Sequence, residues 1–461
     1  MFKILNLTKM GIKGFKLFGG KNFAVFSAIF YITIALSFKG FAQESRTIGL
    51  REAIDIALAN NLQVRQSVFQ AEISKANLKQ SRMELFPSLN ASSSASRQFG
   101  LFFDQTSGMV VQQADQLDGN LGAAVPLFQG FLLRNRILQN KASVAADVSN
   151  SEKIKNDLLL SVITTYLQAL ANRDLVLASE QQLQLSKEQM QVTQKNFDVG
   201  NKTLADLSQS KAQQANSELS LTNAQNAYDL AILELKQLME IDLQQNVTLE
   251  TPLVPSLTKL ELGYTASDVY NQAVQIFPDV QAAKHSTEAY KYALKSAKGE
   301  LYPNLSLRGG LGTRYSSILA NSVGKQLEEN VNKYVGVQLN ILIFNNYRSR
   351  SAVNIAKIRY ENAKVSEQIA RNSLNKVINQ AILDLRAADK KYYASRTAYE
   401  SSKDAFEVMK KRYDVGLVST VELNTSQVNF NKSEFDFIQS KYDLLFRSKV
   451  VDFYLGNPIN L

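Results

Sequence analysis

The residue types that carry most protein chemistry are scarce in this 461-residue chain. There is no Cys, which excludes disulfides and thiolate metal sites. One histidine, His285, would have to carry any imidazole chemistry alone. No GxSxG, phosphate-binding loop or HExxH pattern occurs. The seven Met residues and the lone His form no cluster, so no metal selectivity is legible. Two carboxylates stand out by position: Asp206 and Glu422 each follow a glycine, Gly200 or Gly416, by six residues. Those glycines close the related segments Phe197-Asp198-Val199-Gly200 and Tyr413-Asp414-Val415-Gly416. Glycine reaches the positive φ that ends a helix. Thr203 in the first segment, and Ser419 or Thr420 in the second, can cap the helix that follows. A carboxylate in that first turn favours the helix dipole. An ordinary helical hairpin requires no more than this. No catalytic residue, cofactor or metal is expected, and an enzyme is the least favoured class.

The two glycine turns belong to a duplication. Leu85-Phe86-Pro87-Ser88-Leu89-Asn90 resembles Leu301-Tyr302-Pro303-Asn304-Leu305-Ser306, and Val125-Pro126-Leu127-Phe128 resembles Ile341-Leu342-Ile343-Phe344. These pairs and the two turns all lie 216 positions apart. The offset is too long for a solenoid repeat and marks a duplicated half-protein. Residues 47–245 and 263–457 are expected to be the two copies, joined by a linker, 246–262, that contains Pro252 and Pro255.

Helix breakers are unevenly placed. Neither Gly nor Pro occurs from Phe131 to Val199, from Asn345 to Val415, from Asn201 to Thr251, from Leu417 to Leu455, or from Leu50 to Phe86. Those stretches are rich in Ala, Leu, Gln, Lys and Glu, all good helix formers. A helix of about 70 residues would be about 105 Å long. Such rods must bury a seam, and Val377, Ala381, Leu385, Ala388 and Tyr392 recur at steps of three and four, as do Leu158, Val162, Tyr166 and Ala169. A rod-like coiled coil without a pore, structural or adaptor in role, fits that pattern equally well.

The segments between the helices alternate instead. Leu305, Leu307, Gly309, Leu311 and Thr313 alternate with polar or small residues, and so do Val335, Val337, Leu339, Ile341 and Ile343. In the first half, Leu121, Ala123, Val125 and Leu127 do the same, and the Ser- and Ala-rich Ser88–Phe103 is a weaker strand. Taken singly, each could edge a soluble sheet. Strands with one apolar face suit a membrane barrel, but four cannot close one, so several chains must contribute.

The formal charge of +10 does not point to nucleic acid. Six lysines (Lys3, Lys9, Lys13, Lys16, Lys21 and Lys39) fall in residues 1–42, which hold no Asp or Glu. Without them, 46 basic residues face 42 acidic ones. The basic start, the apolar run Phe23–Phe38 and Gly40-Phe41-Ala42 read as a signal peptide cleaved after Ala42. The run is short for a retained spanning helix. Nothing else is apolar enough to cross a bilayer as a helix.

The element order, the duplication and the leader resemble the TolC-like outer-membrane efflux proteins. The two Pro-containing junctions and the two Asp-Val-Gly turns carry the resemblance, which spans Thr47 to Gly456. It implies a mostly α fold with a small β-barrel and two internal repeats. It implies a homotrimer whose twelve-stranded barrel, four strands from each protomer, sits in outer-membrane lipid and continues as a long periplasmic helical tunnel. The partners it implies are a periplasmic adaptor and an inner-membrane pump of RND, ABC or MFS class. The role implied is passive export, in an efflux pump or a type I secretion system. Loops near Asp104–Asp118 and Ser316–Lys333 would face the exterior. The turns Asp198–Leu204 and Asp414–Thr420, centred on Asp198, Val199, Gly200, Asp414, Val415 and Gly416, would meet the adaptor. Asp206 would pair with Tyr413 to hold the entrance shut, and Glu422 would join an acidic constriction ring. Two positions depart from the family pattern: Thr425 stands where a second ring aspartate can occur, and Val418 where a locking arginine can.

Overall fold

The computed structural model describes residues 46–104, 108–251 and 265–457. The leader and most of the linker expected between the copies lie outside the described residues. The elements run β1 (Arg46–Ile48), α1 (Leu50–Asn60), α2 (Leu62–Met83), β2 (Ser88–Asp104), β3 (Met109–Gln129), α3 (Leu132–Asp198), α4 (Leu204–Met239) and β4 (Val247–Leu249). They continue as α5 (Ala266–Ile276), α6 (Pro278–Gly299), β5 (Asn304–Ser316), α7 (Val323–Glu329), β6 (Asn332–Asn340), α8 (Arg348–Asp414) and α9 (Thr420–Leu455). By contacts the chain divides into a small unit, Met1–Thr47 with Gln244–Thr248, and a large unit comprising the rest. In the small unit the Thr47 and Thr248 hydroxyls are 2.9 Å apart. The second copy and all of the first from Ile48 to Leu243 fall within the large unit.

The helices repeat at the 216-residue offset. α1 and α5 have 11 residues each, α2 and α6 22, α3 and α8 67, α4 and α9 36. A 67-residue helix is about 100 Å long. The unbroken helix expected over Leu50–Phe86 is in fact broken at Asn61, whose ψ of 127° leaves the helical range. The Asn61 side chain then accepts from the Gln63 and Val64 amides and restarts the helix. At the equivalent joint Pro278 does the same work, its N1 position forcing Phe277 to ψ 128°.

Each 67-residue helix leaves its strand through two consecutive left-handed residues, Gly130-Phe131 (φ 57° and 62°) and Asn346-Tyr347 (φ 58° and 64°). At the first joint the chain also passes close to α6. A Cβ on Gly130 would sit 2.4 Å from the Gly299 carbonyl oxygen, so glycine is required there.

The hairpins α3–α4 and α8–α9 are held by hydroxyl pairs in an antiparallel ladder. Ser186 meets Ser217 at 2.8 Å, and Ser210 donates to Thr193. In the second hairpin Ser402 meets Ser433, and Ser395 meets Ser440 at 2.5 Å. Seven-residue spacing with small side chains is what close, coiled-coil-like helix packing needs. Tyr166 of α3 is buried and donates to the Ile48 and Glu250 carbonyls, and desolvation pushes its pKa up to about 12. In the second half the core joins α5, α6, α8 and α9 through Val269, Phe277, Val280, Ile378, Ile382 and Leu444. Its seam includes Ala381, Leu385 and Ala388, with Tyr392 against it, as expected. Val377 is 45% exposed, so Ile378 takes its place. The first-half seam of Leu158, Val162, Tyr166 and Ala169 is buried throughout.

One antiparallel sheet has the order β2-β3-β5-β6, with β2 and β6 as open edges. Ser88–Asp104 forms a 17-residue strand despite its weak composition. Two expected loops shrink: β3 already begins at Met109, inside Asp104–Asp118, and Ser316–Lys333 contains α7. Gln326 of α7 pins that connection by bonding the Ser316 backbone at both N–H and carbonyl. β6 stops at Asn340 although the alternation runs to Ile343, because its partner β5 begins only at Asn304, which pairs with Asn340.

Candidate functional site

Two regions carry features that the fold alone does not need: the faces of the sheet and the tips of the two long hairpins. Directly paired residues in an antiparallel sheet point to the same face. The register therefore sorts Leu89, Leu121, Val125, Leu307, Leu311, Val335, Val337 and Leu339 onto one face. That apolar face is bare: Val335 is 79% exposed, and Ile343 just beyond the strand is 94% exposed. The other face holds Asn90, Ser92, Ser94, Asn120, Asp118, Arg308, Gly310, Arg314, Gly336 and Gln338. Its Arg314 and Asp118 lie opposite one another and form an ion pair at 2.7 Å. Exposed aromatic residues (Phe86, Phe128, Phe131, Tyr302, Phe344 and Tyr347) gather where the strands meet the helices.

At the tips, Gly200 and Gly416 take φ of 82° and 78°. At each, the glycine N–H and the next residue's N–H close the helix by two hydrogen bonds back to its last turn. Gly200 N–H reaches Phe197 O and Asn201 N–H reaches Asn196 O; Gly416 reaches Tyr413 and Leu417 reaches Arg412. Thr203 and Ser419 then cap α4 and α9 in reciprocal capping boxes with Asp206 and Glu422. Asp206 is held below the usual carboxylate range by the Thr203 hydroxyl, then by the Thr420 hydroxyl and the Thr203 N–H. Glu422 is lowered by the Ser419 N–H and hydroxyl. Asp198, Val199, Gly200, Asp414, Val415 and Gly416 are all exposed, Val199 at 69% and Val415 at 70%.

The two tips touch. Tyr413 is buried with Phe406 and Leu423, and Leu185, Met409, Val418 and Phe430 pack around them. Val418 thus fills an apolar niche, which accounts for the absence of a charged side chain there. Tyr413 faces Asp206 through an intermediate: its hydroxyl lies 3.4 Å from the Thr420 hydroxyl, which in turn helps hold the Asp206 carboxylate ionised. Lys202 of the first tip places its ammonium 4.7 Å from the Tyr413 ring centroid. Glu422 and Thr425 are exposed, and their side chains bond within their own hairpin, Glu422 to Ser419 and Thr425 to Val421. Sequence reading missed Lys202 and Thr420. Lys202 carries no local signal, and Thr420 was read only as one of two alternative caps, of which the other, Ser419, does the capping.

With this geometry, the comparisons agree on one lineage. The family model described as "Outer membrane efflux protein" matches residues 53–239 and 269–457. Outer membrane efflux protein BepC of Brucella suis biovar 1 is 23% identical over 348 residues, 75% of this chain and 72% of that protein. The toluene efflux pump outer membrane protein TtgC of Pseudomonas putida is 22% identical, over 78% of this chain and 75% of its own length. The CmeC outer membrane channel of Campylobacter jejuni superposes with a TM-score of 0.79 at 20% identity, covering 88% of this chain and 85% of that one. The open state of the MtrE outer membrane channel of Neisseria gonorrhoeae gives 0.72 at 20% identity, over 88% and 89%. The fold is the TolC-like one, and this chain belongs to the outer membrane efflux protein family.

Proposed function

We propose that this chain is the outer-membrane channel of an export assembly: a passive conduit, built from three copies, that leads solutes from an inner-membrane pump to the exterior. The observation that carries this reading is the sheet with two open edges and a bare apolar face. Unpaired strand edges and exposed apolar side chains are stable together only if lipid covers the face and other strands cover the edges. The strands alternate in direction, so β6 of one copy can pair antiparallel with β2 of the next and the ring closes without an edge. Three copies would supply twelve strands, within the range of membrane barrels. The aromatic residues at the strand–helix joints suit the membrane–water interface, where such side chains anchor barrels.

The long hairpins then continue the barrel through the periplasm, reached after cleavage of the leader. Their exposed tips, Asp198–Gly200 and Asp414–Gly416, would meet a periplasmic adaptor. Tyr413, Asp206 and Glu422 would stand at the closed entrance, with Thr420 and Lys202 joining the contact between tips. The names of the relatives support the efflux role. The test is direct. Detergent-extracted protein is expected to migrate as a heat-dissociable trimer and to conduct ions in planar bilayers. A non-conducting, detergent-independent monomer would overturn the reading.

A further inference from the structure

The polar face of the sheet carries three charged side chains between Ser88 and Gly336, and two of them, Arg314 and Asp118, neutralise each other. The third, Arg308, is exposed and has no ion-pair partner among the described residues. Its position in the sheet explains why. Directly beside it in the ladder stand Ala124 on β3 and Gly336 on β6. On the same face, Gly310 follows it along β5, and Gly122 lies diagonally opposite. These four small neighbours, with Tyr334 and Gln338 diagonally across on β6, give the guanidinium no carboxylate to pair with. One row nearer the exterior, Gly310 is kept small by Tyr334, whose ring atoms come within 2.9 Å of where a Cβ would be. The pleat thus builds an aromatic row next to a single cationic one.

The geometry points to a selectivity element. We propose that Arg308, repeated around the lumen, makes the barrel favour anionic solutes such as carboxylates, sulfonates and phosphates. The inference rests on the trimeric barrel proposed above. In that barrel a neighbouring copy brings β2 alongside β6, and neither β6 nor the polar face of β2 from Ser88 to Gln98 holds a carboxylate to cancel the charge. A twelve-stranded barrel tilted by about 40° has a backbone radius on the order of 12 Å, and an extended arginine reaches in roughly 6 Å. The three guanidinium groups then lie within the ~10 Å screening length of 0.1 M salt from the axis, so their field spans the lumen. Arg308 stands four residues into β5, about 13 Å from the helix joint along the strand, well away from the tip carboxylates.

The test is the reversal potential of the full-length channel in planar bilayers under a KCl gradient at low salt. From the native protein to Arg308→Gln the chloride-to-potassium permeability ratio is expected to fall about threefold, and further for Arg308→Glu. The chain has no cysteine, so Arg308→Cys introduces a unique thiol. The cysteine variant already lacks the Arg308 charge; in the assembled channel its thiol is expected to react with a membrane-impermeant anionic methanethiosulfonate, and the added negative charge to shift the reversal potential further toward potassium. Equal reversal potentials in all variants, or an unreactive thiol, would overturn the assignment while leaving the channel standing. A native protein that does not conduct would overturn the channel and the assignment together.

Discussion

The hydroxyl ladder supplies a comparison in which one half of the protein is the control for the other. Ser395 of α8 pairs with Ser440 of α9 at 2.5 Å. The position equivalent to Ser395 is Ser179 of α3, and the antiparallel register set by Thr193–Ser210 and Ser186–Ser217 puts Ala224 opposite it. Ser179 is fully buried, and its hydroxyl has no hydrogen-bond partner. The same substitution should therefore act with opposite sign at the two sites. Ser395→Ala loses a net hydrogen bond of about 1 kcal/mol and gains about 0.5 kcal/mol in helix propensity, a net loss of about 0.5 kcal/mol per chain. Ser179→Ala gains the same propensity, loses no bond and relieves about 1 kcal/mol of hydroxyl desolvation, a net gain of about 1.5 kcal/mol. The propensity contribution is common to both, so the expected difference of about 2 kcal/mol rests on hydrogen bonding alone. Ala224→Ser, which restores the missing partner, should also stabilise. Denaturant midpoints followed by helical circular dichroism in one detergent would measure all three. If Ser179→Ala and Ser395→Ala shift the midpoint equally, the buried unpartnered hydroxyl is not a real liability and the ladder argument fails.

Three further outcomes follow from the tips and the first joint. Asp206 and Glu422 have depressed pKa values, so their capping boxes contribute fully above about pH 5 and fade as pH falls below about 4. Pepsin nicking near Leu204–Leu207 and Thr420–Leu423 should rise over that window and be pH-independent in the Asp206→Asn, Glu422→Gln double variant, once normalised to a control substrate. Lys202→Met combined with Thr420→Val removes the cation over the Tyr413 ring and the hydroxyl that stands between Tyr413 and Asp206, each worth about 1 kcal/mol or less, and should raise single-channel conductance; unchanged conductance would remove these residues from the closed entrance. Gly130→Ala forces a left-handed alanine into the Gly299 carbonyl and should cost about 3 kcal/mol or more, read as loss of the heat-dissociable oligomer.

What was legible in the sequence was what punctuation and period record. Gly and Pro are rare enough here that their absence outlines the long rods. Asn61 was invisible because its break depends on a side-chain bond to Gln63 and Val64, whereas Pro278 announces the same break covalently. Val377 was assigned to the seam because a 3.5-residue count drifts against the helix, and Ile378, one residue on, is buried instead. β2 looked weak because strand propensity measures packing, and Ser88, Ser92, Ser94 and Ser96 face a polar surface where packing is not required. Of the contact between tips, only the approach of Asp206 and Tyr413 was implied, and by the resemblance alone; Lys202 could not be read, because it and Tyr413 are brought together only by the docking of two hairpins.

The duplication sharpens that last point. Six hairpins in a trimeric tunnel would be nearly equivalent if the halves were alike, and a contact from first tip to second would recur from second to first. The residues at the tip contact are those in which the halves differ. Tyr413 stands opposite Phe197 in the repeat, Lys202 opposite Val418, and Thr420 opposite Leu204. Phe197 has no hydroxyl to give, and Val418 has no charge to place over it. An interface between copies would therefore lack the contacts that join the tips within a copy, and a ring closed in this way would have three firm contacts and three weaker ones. The same divergence sets Arg308 opposite Ser92, so the lumen would hold three positive charges rather than six. If Phe197→Tyr with Val418→Lys and Leu204→Thr were introduced together, the weaker contacts would gain the firm ones' chemistry. Channel opening should then become rarer than in the native protein. An opening frequency that does not change would show that the contacts between copies do not limit the gate.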